Sequence, residues 1–375
     1  MTDHARRRIP LAQPELGAEE LANVSEAVRS GWISSLGPFI GRFEDAFAAH
    51  CDARHAVAVT NGTAALHLAL AAAGVGEGDE VLVPTLTFVA TPNAVRYCGA
   101  RPVFVEADPD TWTLDARDLA ARVTPRSRAI VPVHLYGHPC DMDPILAVAR
   151  RRRLVVVEDA AEALGGAYRG RPVGALGDVA CFSFYGNKAI TTGEGGMCVT
   201  RDPELHARML LLRDHGMDPK RRYWHEVIGF NYRMTNLQAA VGVAQLARLP
   251  RFLESRRRVA GWYADALGEL ARRGRLTLPP EASWARSSFW LYSVLLSPDG
   301  PPAADVIAGL AAAGVDSRPF FHPMHTLPPY ADGARFPVAE DLARRGLNLP
   351  SGYGLERADV EYVAQTLRDV LGRDA

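Results

Sequence analysis

A chain of 375 residues with 48% hydrophobic and 23% charged residues is long enough for one large domain and a smaller one, each with its own core. Its 42 Lys and Arg against 43 Asp and Glu leave a formal charge of −1. That excludes a global field drawing the protein to nucleic acid or an anionic membrane, so any polyanion must be met locally.

The segment MTDHARRRIPLAQPELG has three arginines and no apolar stretch after them, and no later run approaches the roughly 18 apolar residues of a membrane span. Five scattered cysteines (Cys51, Cys98, Cys140, Cys181, Cys198) form no CxxC pair, which argues against a disulfide framework and against zinc; no metal is expected. A soluble protein of the reducing cytoplasm fits these features.

Between about residues 55 and 200, short apolar runs (AVAVT, EVLVP, PVFVEAD, AIVPVHLYG, LVVVEDAA, VACFSFYG, GGMCVT) alternate with helical stretches. Such βα alternation predicts an α/β fold with a mostly parallel sheet covered on both faces. From Arg251 the pattern changes to a long helical stretch, the strand-like FWLYSVLL and a helix after Pro302. The expected division is a large domain over 1–249 and a smaller α+β domain over 250–375.

In parallel sheets ligands sit beyond the carboxyl ends of the strands, where this chain places TNGT, PTLTF, HLYGH, EDAAE and FYGNK. Asn61-Gly62-Thr63-Ala64 turns a strand into an Ala-rich helix, whose N-terminal N–H groups and threonine hydroxyl suit a phosphate. Alone, it reads more readily as a plain turn with a threonine near the cap. Phe88 could lie flat on a ring, although core packing is the ordinary fate of a phenylalanine. Asp159 ends an apolar strand 29 positions before Lys188; it suits the pyridinium nitrogen of an electron-sink cofactor, or else caps the following helix. Lys188 sits among aromatic residues and glycines, where desolvation would lower its pKa and supply the neutral amine that Schiff-base chemistry needs. Ser183, five residues earlier, adds a hydroxyl to the phosphate cup.

Together these segments, with Trp32-Ile33-Ser34-Ser35 and NYRMTN at 231–236, resemble the DegT/DnrJ/EryC1/StrS sugar aminotransferases. The resemblance implies the aspartate-aminotransferase fold (type I, with a seven-stranded sheet) and pyridoxal 5'-phosphate (PLP) held as a Schiff base by Lys188. It implies Asp159 at the ring nitrogen, Phe88 on the ring, and Gly62, Thr63, Ala64 and Ser183 at the phosphate. Asn231 would come from the neighbouring subunit of a homodimer. Glu162 stands where many relatives have glutamine or histidine, so a raised pKa and a hydrogen bond donated to the cofactor's 3-oxygen are expected.

HLYGHPCDMDPI, YWHEVIGFNYRMTN, SRPFFHPMHTLPPY and GLNLPS are most similar to members that move the amino group of L-glutamate to C4 of a GDP-linked 4-keto-6-deoxy sugar. Expected substrate contacts are Trp32, Ser34, Asn187, Arg222, Tyr223, Arg318, Phe320 and His322, although a basic loop at 219–225 is equally a solvated one. Amination at C3 is the nearest alternative. A sugar dehydratase of the same fold, with histidine in place of the lysine, is opposed by Lys188.

Overall fold

The computed structural model describes residues 8–372. Two helices come first, α1 (Ala18–Ser30) and α2 (Pro38–His50). Phe39, Phe43 and Phe47 recur every fourth residue in α2, so the helix has one aromatic stripe, and all three rings are buried.

Then follow β1 (His55–Val59), α3 (Gly62–Ala72), β2 (Glu80–Pro84), α4 (Ala90–Tyr97), β3 (Arg101–Val105), α5 (Ala116–Arg122), β4 (Ser127–Ile130), α6 (Met142–Arg152) and β5 (Val155–Asp159). A short hairpin, β6 (Ala167–Tyr168) and β7 (Arg171–Pro172), precedes β8 (Val179–Ser183), β9 (Gly196–Thr200) and α7 (Pro203–Arg213). Seven of these strands form one sheet in the order β1-β9-β8-β5-β4-β2-β3. Among the described residues only β9 runs against its neighbours, so the mostly parallel seven-stranded sheet of the α/β expectation is present. The α2 stripe packs against β8 and the residue after it, with Phe47 5.0 Å from Phe182 and Phe43 5.1 Å from Phe184.

A 37-residue helix, α8 (Asn236–Arg272), opens on a capping box between Thr235 and Gln238. Beyond it lie β10 (Leu276–Thr277), β11 (Ala285–Arg286), β12 (Tyr292–Leu296), α9 (Ala303–Ala312), β13 (Arg318–Pro319), α10 (Pro337–Arg345), β14 (Gly346–Leu349) and α11 (Arg357–Gly372). Four of these strands make an antiparallel sheet in the order β10-β12-β14-β13. The expected division between residues 249 and 250 falls inside α8, and β11 pairs with β6 of the first region. No described helix is long and apolar enough to cross a membrane.

One turn brings the two regions into contact beside the sheet's carboxyl edge. Tyr136 and Gly137 both have positive φ (53° and 107°), the left-handed region that glycine tolerates best. A Cβ on Gly137 would lie 2.7 Å from the backbone nitrogens of Phe289 and Trp290, so only glycine lets the segments meet this closely.

Candidate active site

A cavity of about 620 Å³ opens at the carboxyl ends of β1, β5 and β8. The expected cofactor residues Gly62, Thr63, Ala64, Phe88, Asp159, Glu162, Ser183 and Lys188 all line it, as does Asn187. The Asn61 side chain caps α3 by accepting from the Ala64 N–H at 2.8 Å. A Cβ on Gly62 would come within 2.8 Å of the Ser183 Cβ. The missing side chain therefore keeps a small cradle open between a helix N-terminus and a serine hydroxyl, a setting that suits a phosphate.

β5 ends in two adjacent acids that face opposite ways, as strand alternation requires. Asp159 faces the cavity, where its Oδ2 accepts from Thr91 Oγ1 at 2.7 Å and its Oδ1 from the Ala161 N–H at 3.2 Å. Glu158 points into the other layer and accepts from the N–H groups of Gly174, Leu176 and Gly177 and from His134 Nε2. His134 Nδ1 accepts from the Cys140 N–H at 3.0 Å, which leaves the ring proton on Nε2. Burial opposes ionisation of Glu158, yet these donors hold its carboxyl below the usual range.

The cavity group is poised differently. Burial pushes the Lys188 ammonium down, against the pull of Glu162 and Asp159, and burial pushes Asp159 up against its Thr91 and Ala161 bonds. Burial also raises Glu162 to about 7, opposed chiefly by Lys188. Glu162 Oε1 is 3.8 Å from Lys188 Nζ, and its Oε2 accepts from the Tyr136 N–H at 2.9 Å. An amine with lowered proton affinity beside two carboxyls with raised pKa is an arrangement able to pass a proton near neutral pH.

The expected substrate residues other than Asn187 do not line this cavity. Phe320 is buried between Trp112 and Tyr136, with its ring lying where a Cβ on Gly346 would stand 2.2 Å away. The β13–β14 pairing turns Phe320 inward, and its neighbour Phe321 lines the cavity, 5.6 Å from Phe88. Arg318 is exposed and paired with Asp316, and His322 is exposed. Tyr223, with the Arg222 guanidinium 5.0 Å over its ring, stands out on an exposed loop. Trp32 and Ser34 lie in an exposed turn whose carbonyls accept from Asn236 at the start of α8. Asn231 is also exposed and accepts from Arg233.

Sequence reasoning missed Thr91, Trp290 and Phe321. Thr91 alone had a local signal, since it lies in the first turn of α4, three residues after the strand-end segment PTLTF. Trp290 and Phe321 come from the far half of the chain.

The donors and spaces present fit PLP: a cradle for its phosphate, a carboxylate for its ring nitrogen and a buried lysine for its aldehyde. Residues 14–368 match the model of the DegT/DnrJ/EryC1/StrS aminotransferase family. The chain is 54% identical over 367 residues to a GDP-perosamine synthase of Caulobacter vibrioides, covering 97% of this chain and 98% of the relative. A GDP-perosamine synthase of Escherichia coli O157:H7 is 44% identical over 362 residues, with 96% and 98% covered. The PLP form of a sugar aminotransferase from Streptococcus pneumoniae superposes with a TM-score of 0.92 at 28% identity, covering 98% of both chains. The cavity and the full-length match agree: this chain belongs to the DegT/DnrJ/EryC1/StrS aminotransferase family, and its cofactor is pyridoxal phosphate.

Proposed function

We propose that this chain transfers the amino group of L-glutamate to C4 of GDP-4-keto-6-deoxy-D-mannose, releasing 2-oxoglutarate and GDP-perosamine. The observation that carries this reading is the grouping of Lys188, whose side chain is 13% exposed, with the buried Asp159 and Glu162, in a chain 54% identical to a GDP-perosamine synthase. The five free cysteines support a reducing compartment such as the cytoplasm.

When bound, PLP supplies an aldehyde for amines and a ring that takes up the electron pair left by a departing proton. Lys188 Nζ holds the cofactor and, once freed as an amine, moves a proton from one carbon to another. Burial favours the neutral amine that both tasks need. Asp159 gives the ring nitrogen a carboxylate, and a cation at that nitrogen offsets the cost of burying the charge. Phe88 provides a flat apolar face. The α3 N-terminus, Thr63 and Ser183 take the phosphate. Asn187 Oδ1, buried and without a hydrogen-bond partner, offers an acceptor to a sugar hydroxyl.

The remaining roles call for a second copy of the chain. Asn231 completes the phosphate site from the neighbouring subunit of a homodimer. The exposed loop carrying Arg222 and Tyr223, with Arg318, meets the nucleotide diphosphate, and His322, Trp32 and Ser34 border the sugar.

Burial raises the Glu162 pKa to about 7: below that pH the neutral acid would donate a hydrogen bond to the cofactor's 3-oxygen, and above it the anion would repel that oxygen. The wild-type cofactor spectrum should therefore change with pH through neutrality, and Glu162→Gln, neutral throughout, should flatten the change. A mutant titration identical to wild type would rule this role out.

The whole reading is tested by incubating purified protein with L-glutamate and GDP-4-keto-6-deoxymannose and identifying the product by mass and NMR. An amine at C4 is expected. An amine at C3 would reassign the chain to that alternative, and no aminated sugar would refute the substrate.

A further inference from the structure

Trp290 lies just before β12, far in sequence from the lysine. It is 4% exposed. Its indole Nε1 donates to the Asn187 carbonyl at 2.8 Å, the peptide immediately before Lys188. Its ring centroid lies 3.8 Å from Lys188 Nζ. One side chain thus contacts the lysine at its backbone and at its reactive end.

Trp290 is itself held rigidly. Its carbonyl accepts from Arg256 Nη1 at 2.6 Å and from Ser351 Oγ at 3.2 Å. The close approach of Gly137 fixes its backbone from the other side. The charged groups around Nζ are Asp159, at the end of β5, Glu162, just beyond it, and Arg256 from α8. Arg256 is a buried guanidinium whose partners are carbonyls, so it repels a second cation nearby. The face of an indole carries partial negative charge and attracts an ammonium within about 6 Å. The neutral amine gains little from it.

We propose that Trp290 is a positioning residue for Lys188: its ring face receives Nζ whenever the lysine is not bonded to the cofactor, and favours the protonated amine there. The inference rests on Lys188 being the cofactor-bearing lysine. The region after residue 250 thereby reaches into the proton-transfer step of a site built mostly from the sheet.

The test separates the two claims. Holoenzyme is first reduced with borohydride and digested; the cofactor is expected on the Lys188 peptide, and its appearance on another lysine would refute the reading of the site itself. Full-length, cofactor-free protein is then reacted with trinitrobenzenesulfonate across a pH series, and labelling of Lys188 is followed by peptide mass spectrometry. Trp290→Leu should lower the midpoint of labelling by about one pH unit. Trp290→Phe keeps an aromatic face while losing the indole N–H, and should stay close to wild type. Chain produced with fluorinated tryptophan keeps the shape and weakens the ring's negative face, and its midpoint should fall. An unshifted midpoint in the leucine variant or the fluorinated chain would overturn the proposal. So would a phenylalanine shift as large as leucine's, because the hydrogen bond rather than the ring would then be responsible. If the leucine variant does not fold, the fluorinated chain decides the matter alone.

Discussion

Lys188→Ala should lose at least about four orders of magnitude of turnover, because in the proposed reaction one side chain provides both the covalent attachment and the proton transfer. Its folded state should suffer little. The amine's nearest charged partner, Glu162, stands 3.8 Å away and the lysine lines an existing cavity, so truncation enlarges an open space without breaking a tight ion pair. The expected result is loss of turnover and of the visible band of the covalently held cofactor, with a thermal midpoint within a few degrees of wild type. Retained turnover would refute the assignment.

Asp159→Asn should cost about 10² to 10³ in kcat, the usual effect of removing one preorganised electrostatic group from a reacting centre. The substitution is close to isosteric. An asparagine oxygen can still accept from Thr91, so packing and the 2.7 Å bond can survive while the negative charge does not. A neutral amide cannot keep the ring nitrogen protonated, and the electron pair left by a departing proton loses its sink. Steady-state kinetics with the cofactor saturating would check this; a kcat within about threefold of wild type would sink the role.

The parts of the site that were legible in the sequence share one property: each lies directly after an apolar run. Gly62 follows β1, Phe88 follows β2, Asp159 ends β5, and Ser183 and Lys188 end and follow β8. In a parallel sheet those positions converge on one edge whatever the rest of the chain does. The residues that escaped notice depend on contacts across long stretches of sequence. Which of two adjacent phenylalanines faces the cavity is decided by Gly346, whose missing side chain admits the Phe320 ring. Trp290 reaches Lys188 because Gly137 allows two distant backbones to touch. Asp159 was named from the sequence, and the structure turns it to the cavity; the opposite setting of Glu158 rests on the distant donors His134 and Gly177, which no local pattern shows.

The placement of β1 has a consequence for how the chain is made. Its sheet partner is β9, with Val59 opposite Gly196, so the first strand synthesised waits for one that follows roughly 140 residues later. At about 5 to 20 residues per second, that wait is on the order of ten seconds. During it an apolar five-residue segment, HAVAV, has an open edge on both sides, and the α2 phenylalanines lack the β8 surface they will cover. Until β9 emerges, HAVAV is therefore a segment for a chaperone to shield, and the longer the ribosome takes to reach it, the longer that edge stays open to other chains.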